Sequence, residues 1–320
     1  MKVLVSGATG FVMANLVRHF LEAGDTVIAA DLNPPDAALA RFWARLAGRA
    51  DFHRLDVADA AAARAMIAEV QPEATVHGAA ITTIPPEMER ARFVETVRVN
   101  VDGTLHVLDA LLAARARGRV VVVSSGSVYG PRADRAPITE DDPKAPQGVY
   151  GMTKWMAESL ARRFADVHGL DLGVVRLASP FGPLERDRGA RPLLSPIHAW
   201  ATAALRGEPL RIGGDPTAPR DAIHAADVAS AIAAILKSPR LAHDAYNVGW
   251  GFGTSAEQAI AALRRLVPGL KVDVDPAAPA PWTTRGPLRI DRLRQDLGWT
   301  PRHDLDSGLA AYLDWLRHES

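Results

Sequence analysis

Short runs of β-branched apolar residues alternate with longer amphipathic stretches along most of the chain. The short runs have the length of buried strands, and the longer ones have the apolar spacing of helices. The predicted strands lie at 3–6, 26–30, 52–55, 75–77, 120–124 and 172–177, and the clearest helices at 11–23, 58–70 and 101–114. Alternation of this kind is typical of a parallel sheet covered by helices. The pattern therefore predicts an α/β fold with a Rossmann-type, doubly wound parallel sheet.

The pattern changes after about Phe181, where proline and glycine clusters separate shorter elements. We therefore expect residues 1–178 to form mainly the Rossmann domain and residues 179–320 mainly a smaller C-terminal α/β substrate lobe, with the chain free to cross between them. Within that lobe, a capping-box pattern at 254–257 predicts the start of a helix. The proline- and alanine-rich stretch 275–287 predicts a long surface loop.

Composition narrows the possible chemistry and partners. A chain of 320 residues with 48% hydrophobic content can bury a large core. Lys and Arg balance Asp and Glu at 37 each, so no net charge favours nucleic acid or an anionic membrane as partner. The absence of cysteine excludes disulfides and thiolate chemistry, and we expect no metal site. The absence of cysteine also suits a reducing cytoplasm, where we expect the protein. No apolar stretch of signal-peptide or membrane-spanning length precedes the first glycine, so we expect the first residues to belong to the fold.

The first candidate site is the turn that contains Gly7, Thr9, Gly10 and Phe11, between the first predicted strand and helix. Glycines in such a turn let the backbone approach a pyrophosphate, which then sits at the positive end of the helix dipole. Asp31 ends the second strand, where a carboxylate accepts hydrogen bonds from ribose hydroxyls. Because the same charge repels a 2′-phosphate, we expect the cofactor to be NAD rather than NADP.

Two further strand ends are expected to border the same crevice. Asp56 and Val57 follow the third strand, and Ala79 follows the fourth. The carboxyl ends of the strands line the ligand crevice of a doubly wound sheet. We therefore place Asp56 near the adenine amino group and Ala79 where the cofactor passes close to the backbone.

The strongest chemical signal is Tyr150 followed by Lys154, four residues later on one helix face. A lysine ammonium beside a phenol should stabilise the phenolate and lower its pKa. An alcohol carbon can transfer hydride only if its hydroxyl proton has an acceptor, and Tyr150 provides one. Ser125, at the end of the fifth strand, offers a hydroxyl that can hold the substrate oxygen.

Taken together, these residues make the chain resemble the extended short-chain dehydrogenase/reductases, and more narrowly the NAD-dependent epimerase/dehydratase family. The resemblance spans almost the whole chain and also includes Val99-Asn100-Val101-Asp102-Gly103-Thr104, Val128-Tyr129-Gly130, Arg176, Phe181-Gly182-Pro183, Arg220 to His224, Asp227, Tyr246 to Gly249 and Leu297 to Pro301.

The resemblance implies roles for particular residues. Ser125, Tyr150 and Lys154 would be the catalytic triad, and Lys154 would also hold the nicotinamide ribose. Asn100, which we count with the cofactor site, would support the active-site helix through its backbone. The substrate-binding residues would be Ser127, Ser179, Arg220 and Arg285, with the two arginines directed at a diphosphate, unless they pair with Asp221 or Asp291 instead.

Three positions depart from the family pattern. Met13 replaces a third glycine, so we expect its side chain to obstruct close packing of the first helix or to crowd the pyrophosphate. Ser179, followed by Pro180, stands where nucleotide-sugar enzymes commonly have an asparagine. Gly126 and Ser127 occupy the positions of an acidic pair in the family's dehydratases, so dehydration is not expected.

The leading hypothesis is an NAD-dependent enzyme that works at a sugar hydroxyl carbon as a UDP-sugar 4-epimerase does. The alternative is an NAD-dependent dehydrogenase of a free sugar, sugar acid or small hydroxy acid. A non-catalytic NAD-binding protein is a third hypothesis, supported only by Met13. The family habit also leads us to expect a homodimer, with no nucleic-acid or membrane partner.

Overall fold

The computed structural model describes residues 1–83, 86–187, 189–278 and 285–319. Seven parallel strands form its central sheet. Numbered in chain order through the molecule, they are β1 (Lys2–Ser6), β2 (Thr26–Asp31), β3 (Arg49–Arg54), β4 (Ala74–His77), β5 (Val120–Ser125), β6 (Leu172–Leu177) and β10 (Ala245–Val248). Their order is β10-β6-β5-β4-β1-β2-β3. The order reverses between β1 and β4, which opens a crevice at the carboxyl ends of the strands.

Helices cover both faces of this sheet. They are α1 (Phe11–Glu22), α2 (Ala37–Ala44), α3 (Ala60–Val70), α4 (Pro86–Val97), α5 (Gly103–Ala113), α6 (Gly148–His168) and α8 (Ala225–Lys237). Phe20 of α1 and Ile232 of α8 belong to the core on one face, and Ile67 of α3 and Leu108 of α5 to the core on the other. A π-helical turn, Arg98–Asp102, joins α4 to α5, and a 3-10 turn, Gly126–Tyr129, follows β5. No helix in the described part of the chain has the length and apolarity to cross a bilayer.

A smaller lobe has its own core, which includes Trp200, Ile260 and Leu313. Its elements are β7 (Ser179–Phe181), α7 (Pro196–Arg206), β8 (Leu210–Gly213), β9 (Ala222–His224), α9 (Ala256–Leu266), β11 (Val272–Asp275) and α11 (Leu305–Glu319). One further helix, α10 (Asp291–Leu297), packs beside β10. β7 pairs with β9 and β8 with β11, both in parallel. Because α8 and β10 return to the large sheet, the chain crosses between the two parts.

The predicted fold class is confirmed, and the differences lie in element boundaries. β3 begins at Arg49 rather than at residue 52, and β10 is a strand that the apolar pattern did not reveal. The capping box of α9 uses Ser255 and Gln258, one residue later than expected: the Gln258 N–H donates to Ser255 Oγ and the Ser255 N–H to Gln258 Oε1. Residues 279–284 of the predicted loop lie outside the described residues.

Met13 fits into the fold because Gly78 leaves room for it. A Cβ on Gly78 would stand 2.3 Å from Met13 Sδ and 2.6 Å from its Cγ, far inside van der Waals contact. Met13 itself is buried in the core below the first turn of α1. The expected obstruction is therefore relieved by a residue on the loop after β4, and α1 remains in place above the sheet.

This pair makes a prediction about stability. Gly78→Ala should lower the free energy of unfolding by about 1–3 kcal/mol, because the added methyl group overpacks the site. In a Met13→Ala background the same substitution should cost much less, since the shorter side chain leaves space. Chemical denaturation of the wild type, both single variants and the double variant measures the coupling. Effects that add to within about 0.5 kcal/mol would contradict the proposed contact.

Candidate active site

A cavity of about 730 Å³ lies at the carboxyl ends of the parallel strands, between the large sheet and the smaller lobe. Most of the residues singled out from the sequence line it: Gly7, Gly10, Phe11, Asp31, Asp56, Val57, Ala79, Ser125, Ser127, Tyr150, Lys154, Ser179, Arg220 and Arg285. Thr9 and Asn100 are not part of its lining. The folded chain thus gathers these residues from nine separate segments around one space.

The glycine turn has the geometry needed for a dinucleotide. Gly7 has a φ of +72°, and a Cβ there would come within 2.8 Å of the Ala79 backbone nitrogen. The N-terminus of α1 has no side-chain cap, and Phe11 and Met13 line the cavity at this end. Uncapped N–H groups at a helix N-terminus bind anions such as a pyrophosphate. The residues present therefore fit NAD.

Asp31 lies at the end of β2, on the same side of the cavity. Its Oδ2 accepts a hydrogen bond from the Thr9 N–H at 3.0 Å, so Thr9 orients the carboxylate from outside the lining. Asp56 accepts from the Ala58 N–H at 2.9 Å and also faces the cavity. Both carboxylates are held by backbone donors, and both keep acceptor capacity for ribose or adenine groups.

Tyr150 stands in the first turn of α6, where that helix meets the end of β5. Burial raises the pKa of Tyr150 above its ordinary value. Hydrogen bonding with Ser125 and Thr82 and the positive charges of Arg191 and Arg285 act in the opposite direction. Burial thus favours the neutral phenol, and the neighbouring donors and cations favour the phenolate.

Lys154 lies one turn further along α6, with its side chain buried at the cavity wall. Burial lowers the pKa of Lys154 to about 8, against the carboxylate of Glu158, which raises it. No residue in the described ranges forms a hydrogen bond or ion pair with its ammonium. We expected Lys154 to lower the pKa of Tyr150. The cations that lower this pKa are instead Arg191 and Arg285, and burial, which raises it, has the larger effect.

Asn100 lies behind the cavity wall, in the π-helical turn. Its Oδ1 accepts from the Ile81 N–H at 2.8 Å, and its Nδ2 donates to Ile81 O and to Thr153 Oγ1, both at 3.0 Å. Thr153 Oγ1 in turn donates to the carbonyl of Tyr150. Asn100 therefore supports α6 through the Thr153 hydroxyl, not through its own backbone as the family resemblance implied.

A buried polar network holds the middle of α6 in place. Glu158, four residues after Lys154, forms an ion pair with Arg176 of β6, and both side chains are almost fully buried. Glu158 also accepts a hydrogen bond from Ser124 Oγ at 3.0 Å. Arg176 donates to Tyr129 Oη at 2.8 Å, and Tyr129 donates to Asn247 Oδ1 at 2.7 Å. These bonds tie α6 to β5, β6 and β10.

The two predicted substrate arginines both face the cavity. Arg220 donates through Nε to Ser179 Oγ at 2.6 Å, so the serine orients the guanidinium. Arg285 is not paired with Asp291, whose carboxylate binds Arg289 instead. The Arg285 guanidinium rests on Gly126: a Cβ there would lie 2.8 Å from Arg285 Nη2. Burial, and then the charge of Arg285, lower the pKa of Arg220, which places the two cations near each other.

Some cavity residues were not found from the sequence. Thr82 and Arg191 lie on connecting segments, where no spacing rule relates them to Tyr150. Arg191 is tied to Glu185 by a 3.1 Å ion pair. Glu158 could have been found from the sequence, because it continues the four-residue spacing of Tyr150 and Lys154 along one helix face.

The family model described as "NAD dependent epimerase/dehydratase family" matches residues 3–249. A UDP-glucose 4-epimerase from Mycolicibacterium smegmatis is 30% identical, with all of both chains covered. A dTDP-glucose 4,6-dehydratase from Xanthomonas campestris pv. campestris is 29% identical, and the match covers 98% of this chain and 92% of that protein.

Among solved structures, MoeE5 in complex with UDP-glucuronic acid and NAD is similar to the whole chain. Its TM-score is 0.83 and its sequence identity 29%, and all of both chains is covered. The relatives thus include both epimerases and dehydratases.

The low pKa of Lys154 predicts how stability depends on pH. The unfolded lysine keeps its proton up to about pH 10.4, whereas the folded one releases it near 8. Between these values the unfolded state binds more protons, so this group makes stability rise with pH. The difference in unfolding free energy between wild type and Lys154→Met, measured by denaturant titration, should be constant below pH 7 and move in favour of the wild type above pH 8. A difference that stays flat from pH 7 to pH 10 would refute this.

Proposed function

The chain belongs to the NAD-dependent epimerase/dehydratase family, and from this we propose that it acts on a hydroxyl-bearing carbon of a nucleotide sugar, as a UDP-sugar 4-epimerase does. One observation carries the proposal: Tyr150 and Ser125 meet in the same cavity that the glycine turn, α1 and Asp31 shape for a dinucleotide. The cofactor is NAD.

The proton is handled by residues at the start of α6. Tyr150 accepts the proton of the reacting hydroxyl, and Ser125, which lines the same cavity, holds the substrate oxygen. Bound NAD supplies the acceptor for the hydride that leaves the same carbon. Lys154, whose ammonium has no hydrogen-bond partner among the described residues, would hold the ribose of the bound cofactor.

The remainder of the substrate lies toward the smaller lobe in this proposal. Arg220 is placed by Ser179 to bind the diphosphate of a nucleotide sugar, since a guanidinium binds phosphate oxygens in pairs. Ser127, in the 3-10 turn after β5, forms a hydrogen bond with the Ser125 hydroxyl at 3.2 Å and contacts the sugar. Asp31, Asp56, Val57 and Ala79 form the adenosine side of the cavity.

A net dehydrogenase of a free sugar, sugar acid or small hydroxy acid is the second candidate. The observation in its favour is Ser179. This residue stands where nucleotide-sugar enzymes commonly have an asparagine that contacts the nucleotide, and its hydroxyl accepts a hydrogen bond from Arg220 instead. The two candidates use Tyr150 in the same way and differ in whether NADH accumulates.

We also propose that two copies of the chain associate through α4 and α6. These helices pack against each other and expose apolar side chains on one surface: Phe93, Val94, Met152, Met156 and Leu160. Val94 is 79% exposed, which is unfavourable for an apolar side chain in a monomer. A symmetric dimer would bury the same surface of both copies.

Replacement of the tyrosine tests the proposed chemistry. Tyr150→Phe should lower turnover by about 10²–10⁴-fold, because the proton acceptor is lost, while NAD binding stays within about twofold. Proton NMR of UDP-glucose follows epimer formation, and absorbance follows NADH. Tyr312→Phe, in the core of the smaller lobe, is the matched control. Full activity of Tyr150→Phe would refute the mechanism, and stoichiometric NADH would select the dehydrogenase.

Substitution of the exposed surface tests the dimer. Met156→Glu combined with Leu160→Glu should convert the dimer to a monomer, because two like charges one helical turn apart repel each other and cannot be buried unpaired. Light scattering coupled to gel filtration measures the mass. Val274→Lys, an equally exposed apolar position on β11, serves as the control and should leave the mass unchanged. A wild-type protein that is already monomeric contradicts the proposal.

A further inference from the structure

A series of buried hydrogen bonds begins beside the glycine turn. Ser6, the last residue of β1, accepts through Oγ from the backbone N–H groups of Gly78 and Ala79, at 3.2 and 3.4 Å. The same hydroxyl lies 2.8 Å from His77 Nδ1. Gly78 and Ala79 line the cavity, and Gly7 packs closely against Ala79. Ser6 therefore fastens the glycine turn to the cavity wall that follows β4.

His77 continues the series toward α5, and its neighbours define its tautomer. Burial, and then the charge of Lys154, lower the pKa of His77 to about 3, so the imidazole is neutral and carries one proton. Because Ser6 Oγ already accepts two N–H groups, its own proton goes to His77 Nδ1. The proton of His77 is therefore on Nε2, which donates to Thr104 Oγ1 at 3.1 Å. Thr104 in turn donates to the Asn100 carbonyl at 2.8 Å.

Asn100 completes the series to the helix that carries the phenol. Its side-chain amide binds both backbone groups of Ile81 and the Thr153 hydroxyl, which donates to the Tyr150 carbonyl. Ile81 also lines the cavity, so the wall segment 78–81 is held by Ser6 at one end and by Asn100 at the other.

The bonds of this series are protected from water. The side chains that form it are almost fully buried: Ser6, His77, Thr104, Asn100 and Thr153. A buried donor or acceptor that loses its partner has no water to replace it, so each of these bonds is costly to break. His77 is not part of the cavity lining, and it reaches the site only through the groups that it binds.

We propose that His77 is a positioning residue: as the neutral Nε2–H tautomer, it joins the cavity wall beside the cofactor to the helix that carries Tyr150. The inference rests on the proposed function, in which the hydroxyl proton moves to Tyr150 and the hydride to NAD. That transfer needs the reacting groups aligned to within about 0.5 Å. The loss of His77 or of its partners therefore lowers kcat more than it weakens substrate binding.

Substitution of Thr104 interrupts the series with little change in shape. Thr104→Val should lower kcat by about 10- to 100-fold and change KM by less than about twofold, because alignment is lost and the substrate contacts remain. Thr104→Ser keeps the hydroxyl and should retain most of the wild-type kcat. NAD-loaded full-length protein is assayed with UDP-glucose by NMR, below the melting temperature of each variant.

Thr96→Val is the matched control. Thr96 is an equally buried threonine whose hydroxyl donates to the carbonyl four residues earlier, that of Arg92, as Thr104 does to Asn100. It lies outside the series, so Thr96→Val should leave kcat unchanged. An equal loss of kcat in Thr96→Val and Thr104→Val would assign the effect to helix packing and overturn the proposal.

A double variant tests whether the two ends of the series act together. Ser6→Ala and Thr153→Val each interrupt it, at opposite ends. If the two hydroxyls acted independently, the fold losses in kcat would multiply. The double variant should instead lose about as much as the more damaging single variant. Losses that multiply to within about twofold contradict the proposal.

The tautomer of His77 is measured on the wild-type protein without substrate, so the result does not depend on the stability of a variant. Nitrogen-15 NMR of histidine-labelled protein, with His77→Gln to assign the signal, should show a neutral ring with its proton on Nε2 between about pH 5 and pH 8. A proton on Nδ1, or a ring that titrates in this range, would overturn the inference.

The outcomes separate this inference from the proposed function. Tyr150-dependent turnover that Thr104→Val leaves unchanged overturns the role of His77 and keeps the proposed function. Absence of Tyr150-dependent turnover with UDP-glucose and with free sugars and sugar acids rejects the proposed function and the role of His77 together.

Discussion

The buried ion pair of Glu158 with Arg176 fixes the helix on which the active site depends. Glu158 also accepts a hydrogen bond from Ser124, the residue before Ser125, so the same carboxylate sets the register between α6 and the end of β5. Lys154 lies on the same face one turn earlier, and Tyr150 two turns earlier. Removing one partner of such a pair costs about 3–5 kcal/mol, because the other charge is left buried and unpaired. The geometry of proton transfer is thus determined two turns away from the phenol.

Much of this arrangement could be predicted from local sequence. The glycine turn, Asp31 and the spacing of Tyr150 and Lys154 are short-range patterns, and each places a group at the end of a strand or on one face of a helix. Contacts between distant segments could not be predicted in this way. Gly78 accommodates Met13 only because the loop after β4 crosses α1, and Arg285 reaches Gly126 only through the fold of the smaller lobe. Residues that meet only through the tertiary fold have no characteristic spacing in the sequence, so these contacts could not be predicted from it.

Burial shifts the pKa values of Tyr150 and Lys154 more than any single neighbouring charge does. Burial raises the pKa of Tyr150 and lowers that of Lys154, so it favours the neutral form of both groups. Arg191 and Arg285 offset part of this effect at the phenol. The expectation that Lys154 lowers the pKa of Tyr150 considered only the spacing of the two side chains on one helix face. In the folded protein, the cations that lower the pKa of the phenol are arginines that approach it from other segments of the chain.

Membership of the family does not by itself select the reaction, because relatives of similar identity include an epimerase and a dehydratase. The residues beside Ser125 are more selective. Loss of water from a sugar requires an acid that gives a proton to the departing hydroxyl. At this point the chain has Gly126, with the Arg285 guanidinium resting on it. Arginine keeps its proton in proteins, so this group does not act as the acid. The local geometry therefore favours oxidation or epimerisation over dehydration.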